Sequence, residues 1–467
     1  MIRLRRWRLA TVLALACSVA AAPATATQGE WDAVAEEAAS LLSEYIRIDT
    51  TNPPGNEIAA ARFLADRFRK EGVEVKVFES APGRGTILAR HPGKGTAKPI
   101  VLLNHLDVVA ADASEWEHAP FAGTVEGGYV HGRGAIDCKG VAVVEAMALI
   151  LLARNHIALD RDVIFLGTAD EETGGVHGAK WFVENHFDEL RGAELMLNEG
   201  GHIRNEEGKR VYEVAVAEKT PCWLRLSAEG KAGHGSTPPD ATAVTRLIDA
   251  LARIQAWDRG LHVTDEVQAY YAARAAAEEP ETAAHYRDLR KALKDPEFRA
   301  RFLADPRNAA LVRNTVTPTV LQGSGKTNVI PRRASADLDC RLLPGVDPEE
   351  FVASVEEVVG DDGIDVEVLL NFPPSASATD TPLYRAIERV AGHEQAPVVP
   401  NILRGFTDAH YFRRRGMVVY GFLPMDLAPE DASRMHGVDE RVPTQSLEHG
   451  IRRLIDVLVA LDDGATQ

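Results

Sequence analysis

Three short, almost unbroken apolar runs constrain this chain more than any other feature: Ile100 to Asn104, Val163 to Thr168 and Glu194 to Asn198. Runs of this length without polar alternation suit strands buried on both faces, the environment inside a parallel sheet covered by helices. Helical patterns surround them at Glu30 to Ile46, Glu57 to Lys70, Val141 to Arg154 and Val176 to Asn185. In the second of these, Ile58, Ala61, Leu64 and Phe68 fall on one stripe. Val73 to Phe78 alternates with period two and adds a strand. The alternation of strand and helix predicts an α/β layer architecture.

Each apolar run ends on acids or histidine: His105-Leu106-Asp107, Asp170-Glu171-Glu172 and Asn198-Glu199-Gly200. Gly132-Arg133-Gly134-Ala135-Ile136-Asp137 lies between the first two. In open α/β sheets ligands bind beyond the carboxyl ends of the strands, so these groups are expected to share one crevice. Several carboxylates brought together without cations repel and cannot all stay ionised. A pair of divalent ions relieves that repulsion; histidine and carboxylate ligands suit zinc, and a bridging carboxylate holds two ions ~3.5–4 Å apart. Taken singly, His105 reads as a hydrogen-bonded strand-end histidine and Glu171-Glu172 as a solvated pair at a helix start. Their placement on successive strand ends is what points to a site.

Near Pro221 the order of elements changes. Strands are expected at Cys222 to Glu229, Thr315 to Gln322, Ala334 to Leu342 and Val366 to Asn371, with helices at Thr242 to Trp257 and Pro348 to Val359. That β-α-β-β-α-β order is the ferredoxin-like split. Residues 258–313 read as a charged, Ala-rich helical insertion within it. After Pro373 the α/β pattern resumes and closes with a helix from Gln445 to Leu461. One domain, 27–219 with 374–467, is thus interrupted by a second, 220–373.

The 467 residues are 45% hydrophobic and 26% charged, which excludes a disordered chain. A net charge of −17 without a basic stripe argues against nucleic-acid binding. Arg3, Arg5, Arg6 and Arg8 precede the apolar run Leu9 to Ala22, with Ala24-Thr25-Ala26 as a cleavage site. Residues 1–26 therefore read as a signal peptide, and the protein is expected to be exported, periplasmic or secreted. Arg5-Arg6 as a degenerate twin-arginine signal and Cys17 as a lipid anchor are the alternatives. Cys138, Cys222 and Cys340 indicate neither a disulfide framework nor a thiolate metal site.

The segments Ile46-Arg47-Ile48-Asp49-Thr50-Thr51-Asn52-Pro53-Pro54-Gly55-Asn56-Glu57, His105-Leu106-Asp107-Val108-Val109 and Gly132 to Gly140 follow one another in order. Ala169-Asp170-Glu171-Glu172 and Asn198-Glu199-Gly200-Gly201 continue the series. Together they resemble the M20 metallopeptidases, a family that includes aminoacylases, glutamate-type carboxypeptidases and carboxypeptidase S-like enzymes. The resemblance implies a dizinc-peptidase catalytic domain carrying an inserted ferredoxin-like lid and dimerisation domain. It implies two Zn2+ per chain, with Co2+ or Mn2+ as substitutes: His105, Asp137 and Glu199 on one, Asp137, Glu172 and His436 on the other. Glu171 would be the general base that takes a proton from a zinc-bound water, and Asp107 would orient the His105 imidazole.

By the same resemblance, His234 in Gly233-His234-Gly235-Ser236 crosses a homodimer interface to stabilise an oxyanion. Asn328 approaches the same region, and Arg341 grips a substrate carboxylate. Gly405-Phe406-Thr407-Asp408-Ala409-His410 resembles a segment commonly read Gly-Gly-Thr-Asp-x-Arg, so His410 stands where an arginine helps hold substrate. Protonated, His410 would still accept a carboxylate. The expected activity is amide hydrolysis releasing a C-terminal or N-acylated amino acid from a peptide or N-acyl amino acid. A small-metabolite N-deacylase and a non-catalytic peptide-binding relative are the alternatives. The second predicts loss of a ligand or of the base, and here all those positions are filled.

Overall fold

Ile100–His105 and Val163–Thr168 pair in parallel, Ile100 opposite Val163, and Leu195–Glu206 runs parallel on the other side with Leu195 opposite Ile100. This register brings the ends of the three apolar runs to the same edge. The computed structural model describes residues 27–463 except Glu207; the export signal read in 1–26, with Cys17, lies outside them. The complete sheet has eight strands, in the order Glu74–Ala81, Arg84–His91, Val163–Thr168, Ile100–His105, Leu195–Glu206, Val418–Leu427, Lys209–Glu218, Val398–Leu403. The first two are antiparallel additions at one border. The helix Lys139–Arg154 is apolar nearly all round and is buried against the sheet, between Gln28–Ile46 and Thr444–Asp463. Among the described residues no helix is long and apolar enough to cross a membrane.

Two local departures from the expected pattern are set by glycines. The third apolar run extends past Glu199 as the strand Leu195–Glu206. Gly200 and Gly201 adopt φ of +89° and +69°, and a Cβ on Gly201 would lie 2.3 Å from the Glu213 carbonyl oxygen. The chain can turn there, immediately after Glu199, only because both positions lack a side chain. The helix expected over 176–185 is instead a π turn, Val176–Lys180, leading into Trp181–Asn185. Gly178 leaves helical geometry where it presses on the Ala169 backbone.

Thr315–Gln322, Arg333–Leu342, Thr220–Glu229 and Ile364–Asn371 form a second, wholly antiparallel sheet in that order. Ala243–Ala256 and Pro348–Val359 pack against it around Leu224, Leu226, Leu338 and Phe351. This is the ferredoxin-like arrangement. The 258–313 insertion, read as part of this lid segment, packs elsewhere. Val267, Tyr270, Tyr271 and Phe302 join the core of the large sheet, with Asp265–Arg274 lying against the border strand Val398–Leu403. A border strand exposes unpaired backbone, and the helix covers it.

Lys219 sits at the junction of the two sheets, 1% exposed, and its Nζ donates to the carbonyls of Ala310 (2.9 Å) and Arg313 (2.8 Å). Burial, then the charges of Arg341, Arg259 and Arg313, push its pKa from 10.5 down to about 7. Between those two values the unfolded chain keeps the proton that folded Lys219 has lost, so this residue's contribution to stability rises with pH across that window. From pH 7 to 9 the urea midpoint of the wild type is expected to rise relative to that of Lys219→Met. Identical pH slopes for the two proteins would show that Lys219 keeps its proton in the fold.

Candidate dinuclear metal site

The loop after Gly132 delivers Asp137 to the mouth of the sheet, and Glu440 holds that loop in place. One Glu440 oxygen accepts from Arg133 Nη1 (2.7 Å) and the Gly134 N–H (3.0 Å). The other accepts from the N–H groups of Ile136 (2.8 Å) and Asp137 (3.0 Å). Asp137 is thereby set between two histidines. Its Oδ1 lies 2.9 Å from His105 Nε2, and its Oδ2 lies 3.0 Å from His436 Nε2. Glu199 stands 3.6 Å from His105 Nε2, and Glu172 stands 3.2 Å from His436 Nε2. The donor atoms of His105, Asp137 and Glu199 all lie within 4.8 Å of one another, as do those of Asp137, Glu172 and His436. Cys138 falls within the first group, and burial pushes its thiol well above the usual range.

The electrostatics fit divalent cations. Burial, then neighbouring charge, raises Glu199 to about 8 and lifts Glu171 well above the ordinary carboxylate value. Hydrogen bonds donated to Asp137 and Glu172 raise His436 to about 10. Burial disfavours charge on His105, yet Glu199 and its other acidic neighbours leave it well above its usual value. The carboxylates thus stabilise positive charge at both imidazoles. A divalent ion at each donor set supplies the same compensation without a proton. Glu171 is buried and its carboxylate comes near His105 and Glu172 but does not share Asp137. Among the described residues no side chain hydrogen-bonds to that carboxylate, which leaves it free to exchange a proton.

Asp107 meets His105 and also anchors the glutamate loop. His105 Nδ1 meets the Asp107 carbonyl oxygen at 3.0 Å, with the carboxylate Oδ1 at 3.4 Å. The carboxylate itself accepts from Asn52 Nδ2 (2.8 Å) and from the N–H groups of Glu171 and Glu172 (3.1 Å each). It therefore fixes the base and a ligand together, while its carbonyl and Oδ1 both face the imidazole nitrogen.

Among the described residues, the substrate residues expected on the lid share no hydrogen bond or ion pair with the metal ligands. His234 is exposed, hydrogen-bonded to Ser236 (2.7 Å), on a short ribbon in which it pairs with Val329. The same ribbon holds Asn328, whose carbonyl accepts from the Gly235 N–H. Arg341 is ion-paired with Asp339 (2.7 Å) and lies over the rings of Trp223 and Phe406. His410 corrects the sequence expectation. It is 4% exposed, stacked on Phe372 at 3.8 Å, and its Nδ1 is 2.8 Å from the Thr407 carbonyl. Burial lowers its pKa to about 4, so it is neutral and cannot grip a carboxylate as imidazolium.

Sequence reading missed Glu440 as the clamp on the ligand loop. It also missed the buried cluster in which Arg84 bonds Glu57, Asp170 and Asn52 beneath the Glu171 loop. Glu440 closes the Arg434–Glu440 segment that already carries His436, which was the available signal.

Two donor sets joined by one carboxylate, at the carboxyl ends of a sheet and with a free glutamate alongside, equip a metal-dependent hydrolase. The sequence profile of Peptidase family M20/M25/M40 matches residues 101–460, and the chain belongs to this family. It is a hydrolase acting on amide bonds. The N-fatty-acyl-amino acid synthase/hydrolase PM20D1 of Mus musculus is 30% identical over 78% of this chain and 74% of its own length. Aminoacylase-1 of Homo sapiens is 27% identical over 90% of this chain and 94% of its own. In fold it is similar to the M20 metallo-carboxypeptidase Sso-CP2 of Sulfolobus solfataricus, with a TM-score of 0.71 at 19% identity, covering 91% of this chain and 99% of that one. Human carnosine dipeptidase 1 superposes with a TM-score of 0.69 at 17% identity, covering 93% and 98%.

Glu440→Gln keeps the shape of the clamp but removes its charge. Metal affinity is expected to fall ~10–100-fold, as for other residues that position ligands. Metal content after dialysis against graded chelator measures this, and an unchanged retention curve would exclude the clamp role.

Proposed function

We propose that the protein is a two-zinc amidohydrolase that releases a C-terminal or N-acylated amino acid, with Glu171 as its general base. The observation that carries this reading is Asp137, each of whose oxygens faces one histidine-containing donor set, with unpaired Glu171 beside them. Similarity to aminoacylase-1 and to an N-fatty-acyl-amino acid hydrolase supports an N-acyl amino acid as substrate. Held by His105, Asp137, Glu199, Glu172 and His436, the metal ions would supply Lewis acidity and lower the pKa of an attacking water towards ~7. Glu171, buried beside these ligands, would accept the proton of the attacking water and return it to the leaving nitrogen. Export, read from residues 1–26, belongs to the same proposal.

A panel of N-acyl amino acids and dipeptides, each with and without a free carboxylate, tests the substrate class. Hydrolysis of the N-acyl amino acids is expected to be fastest; a metal-loaded protein that cleaves no member of the panel overturns the reading. Glu171→Gln is expected to lower kcat by ~10²–10⁴-fold with metal content unchanged, whereas retained activity rejects Glu171 as base.

The exposed His234–Asn328 ribbon, which makes no hydrogen bond or ion pair to the metal ligands among the described residues, fits a homodimer in which each lid serves the other subunit's site. His234→Ala and Glu171→Gln proteins should each be inactive alone. In co-refolded mixed dimers one site holds both intact groups, so activity should recover to roughly a quarter of wild type by random pairing of a two-fold dimer. No recovery from verified mixed dimers would show that His234 does not serve the other subunit's site, and full activity of His234→Ala alone would place it outside the reaction.

A further inference from the structure

A cleft of about 870 Å3 opens between the loop leaving the lid helix and the helices of the insertion, and no metal-site residue lines it. That volume suits a drug-sized molecule rather than a simple ion. Its charge reverses that of the protein as a whole. In a chain of net charge −17, Arg259, Arg290, Lys294, Arg299 and Arg313 line this cleft and Asp258 is the single acid among the lining residues.

Not all of these cations are free. Arg290 is paired with Asp265. Arg259 donates to the carbonyls of Ile254, Trp257 and Asn314, which fix it without neutralising it. Lys294 and Arg299 are exposed and, among the described residues, have no acidic partner. Arg313 is half-buried, and its Nε is a buried donor without a hydrogen-bond partner. Behind it, Lys219 Nζ rests on the Arg313 carbonyl. Burial, then the nearby Arg313 charge, lowers the pKa of Arg259. Crowded cations with an unpaired buried donor are unfavourable unless an anion joins them.

Trp257, Leu261, Val263, Leu293 and Leu303 supply an apolar wall, with His262 and Thr264 as the uncharged polar groups beside it. A small inorganic anion would satisfy Arg313 and leave that wall in water. A neutral hydrocarbon would do the opposite. We propose that the cleft is a second binding site for an amphipathic carboxylate, an aliphatic chain ending in a carboxylate group, whose head pairs with Arg313, Arg299 and Lys294. Such a molecule could be a free fatty acid or an intact N-acyl amino acid, and the shared chemistry is what the cleft recognises.

Calorimetric titration of the metal-loaded full chain with laurate, dodecanol and inorganic phosphate tests this, with N-lauroylglycine titrated into the Glu171→Gln protein so that it is not consumed. Laurate or N-lauroylglycine is expected to bind at least tenfold tighter than dodecanol or phosphate. The tighter of the two identifies the source. The double charge reversal Lys294→Glu with Arg299→Glu, on exposed side chains that leave the fold intact, should weaken that binding at least tenfold, and Arg313→Gln should do likewise. Because these residues lie outside the metal site, a loss of affinity in the double variant separates this cleft from carboxylate binding at the metals. Equal affinity in the wild type and the double variant overturns the proposal, as does phosphate binding as tightly as laurate.

Discussion

Glu440 is the point on which the site's geometry turns. Its carboxylate is fully buried, and burial raises its pKa, yet four donors from Arg133, Gly134, Ile136 and Asp137 converge on it. A buried ion pair contributes little net stability when desolvation is counted, but removing one partner leaves a costly orphan charge. Its value here lies in position. The clamp fixes the backbone of the loop that ends in Asp137, and Glu440 follows His436 by one short turn held against Arg133. One carboxylate therefore sets both the shared ligand and the chain segment that supplies the most distant one.

The same logic operates on the other side of the site. Asp107 accepts the N–H groups of Glu171 and Glu172 and the amide of Asn52, while its carbonyl meets His105. Asn52 in turn links to Asp170 and Arg84. A general base and an adjacent ligand have opposing needs: the ligand must stay ionised and the base must change protonation. Holding both by the backbone leaves their carboxylates free to differ. Glu172 has His436 as its partner, and Glu171 has none. The distinction between neighbouring glutamates comes from what their side chains face, not from where their backbones are anchored.

Much of this was legible in the sequence because it rests on local pattern. The helix Glu57–Lys70 falls where its apolar stripe places it, and the three apolar runs do form adjacent parallel strands. What was not legible depends on encounters between distant segments. His436 lies 264 residues from Glu172 and has a half-exposed side chain, so only the family resemblance, and not its own spacing, marks it as a ligand. His410 illustrates the reverse case. A histidine in place of an arginine reads as a weaker cation, but Phe372, from the strand's exit out of the lid, stacks on it and removes the water that would support its charge. Only packing decides that question.

Phe406 and His410 change the character of the wall they help build. Phe406 meets Phe372 and Trp223 edge-on, and Arg341 lies across the Phe406 and Trp223 rings with its guanidinium already paired to Asp339. A guanidinium held by a neighbouring carboxylate and stacked on two rings has little attraction left for a second anion. The wall formed by Arg341, Phe406, Phe372 and His410 is therefore aromatic rather than cationic. Asp339 engages Nε and Nη2 of that guanidinium, so the charge Arg341 lays across the Phe406 and Trp223 rings is already compensated by a lid residue two positions away.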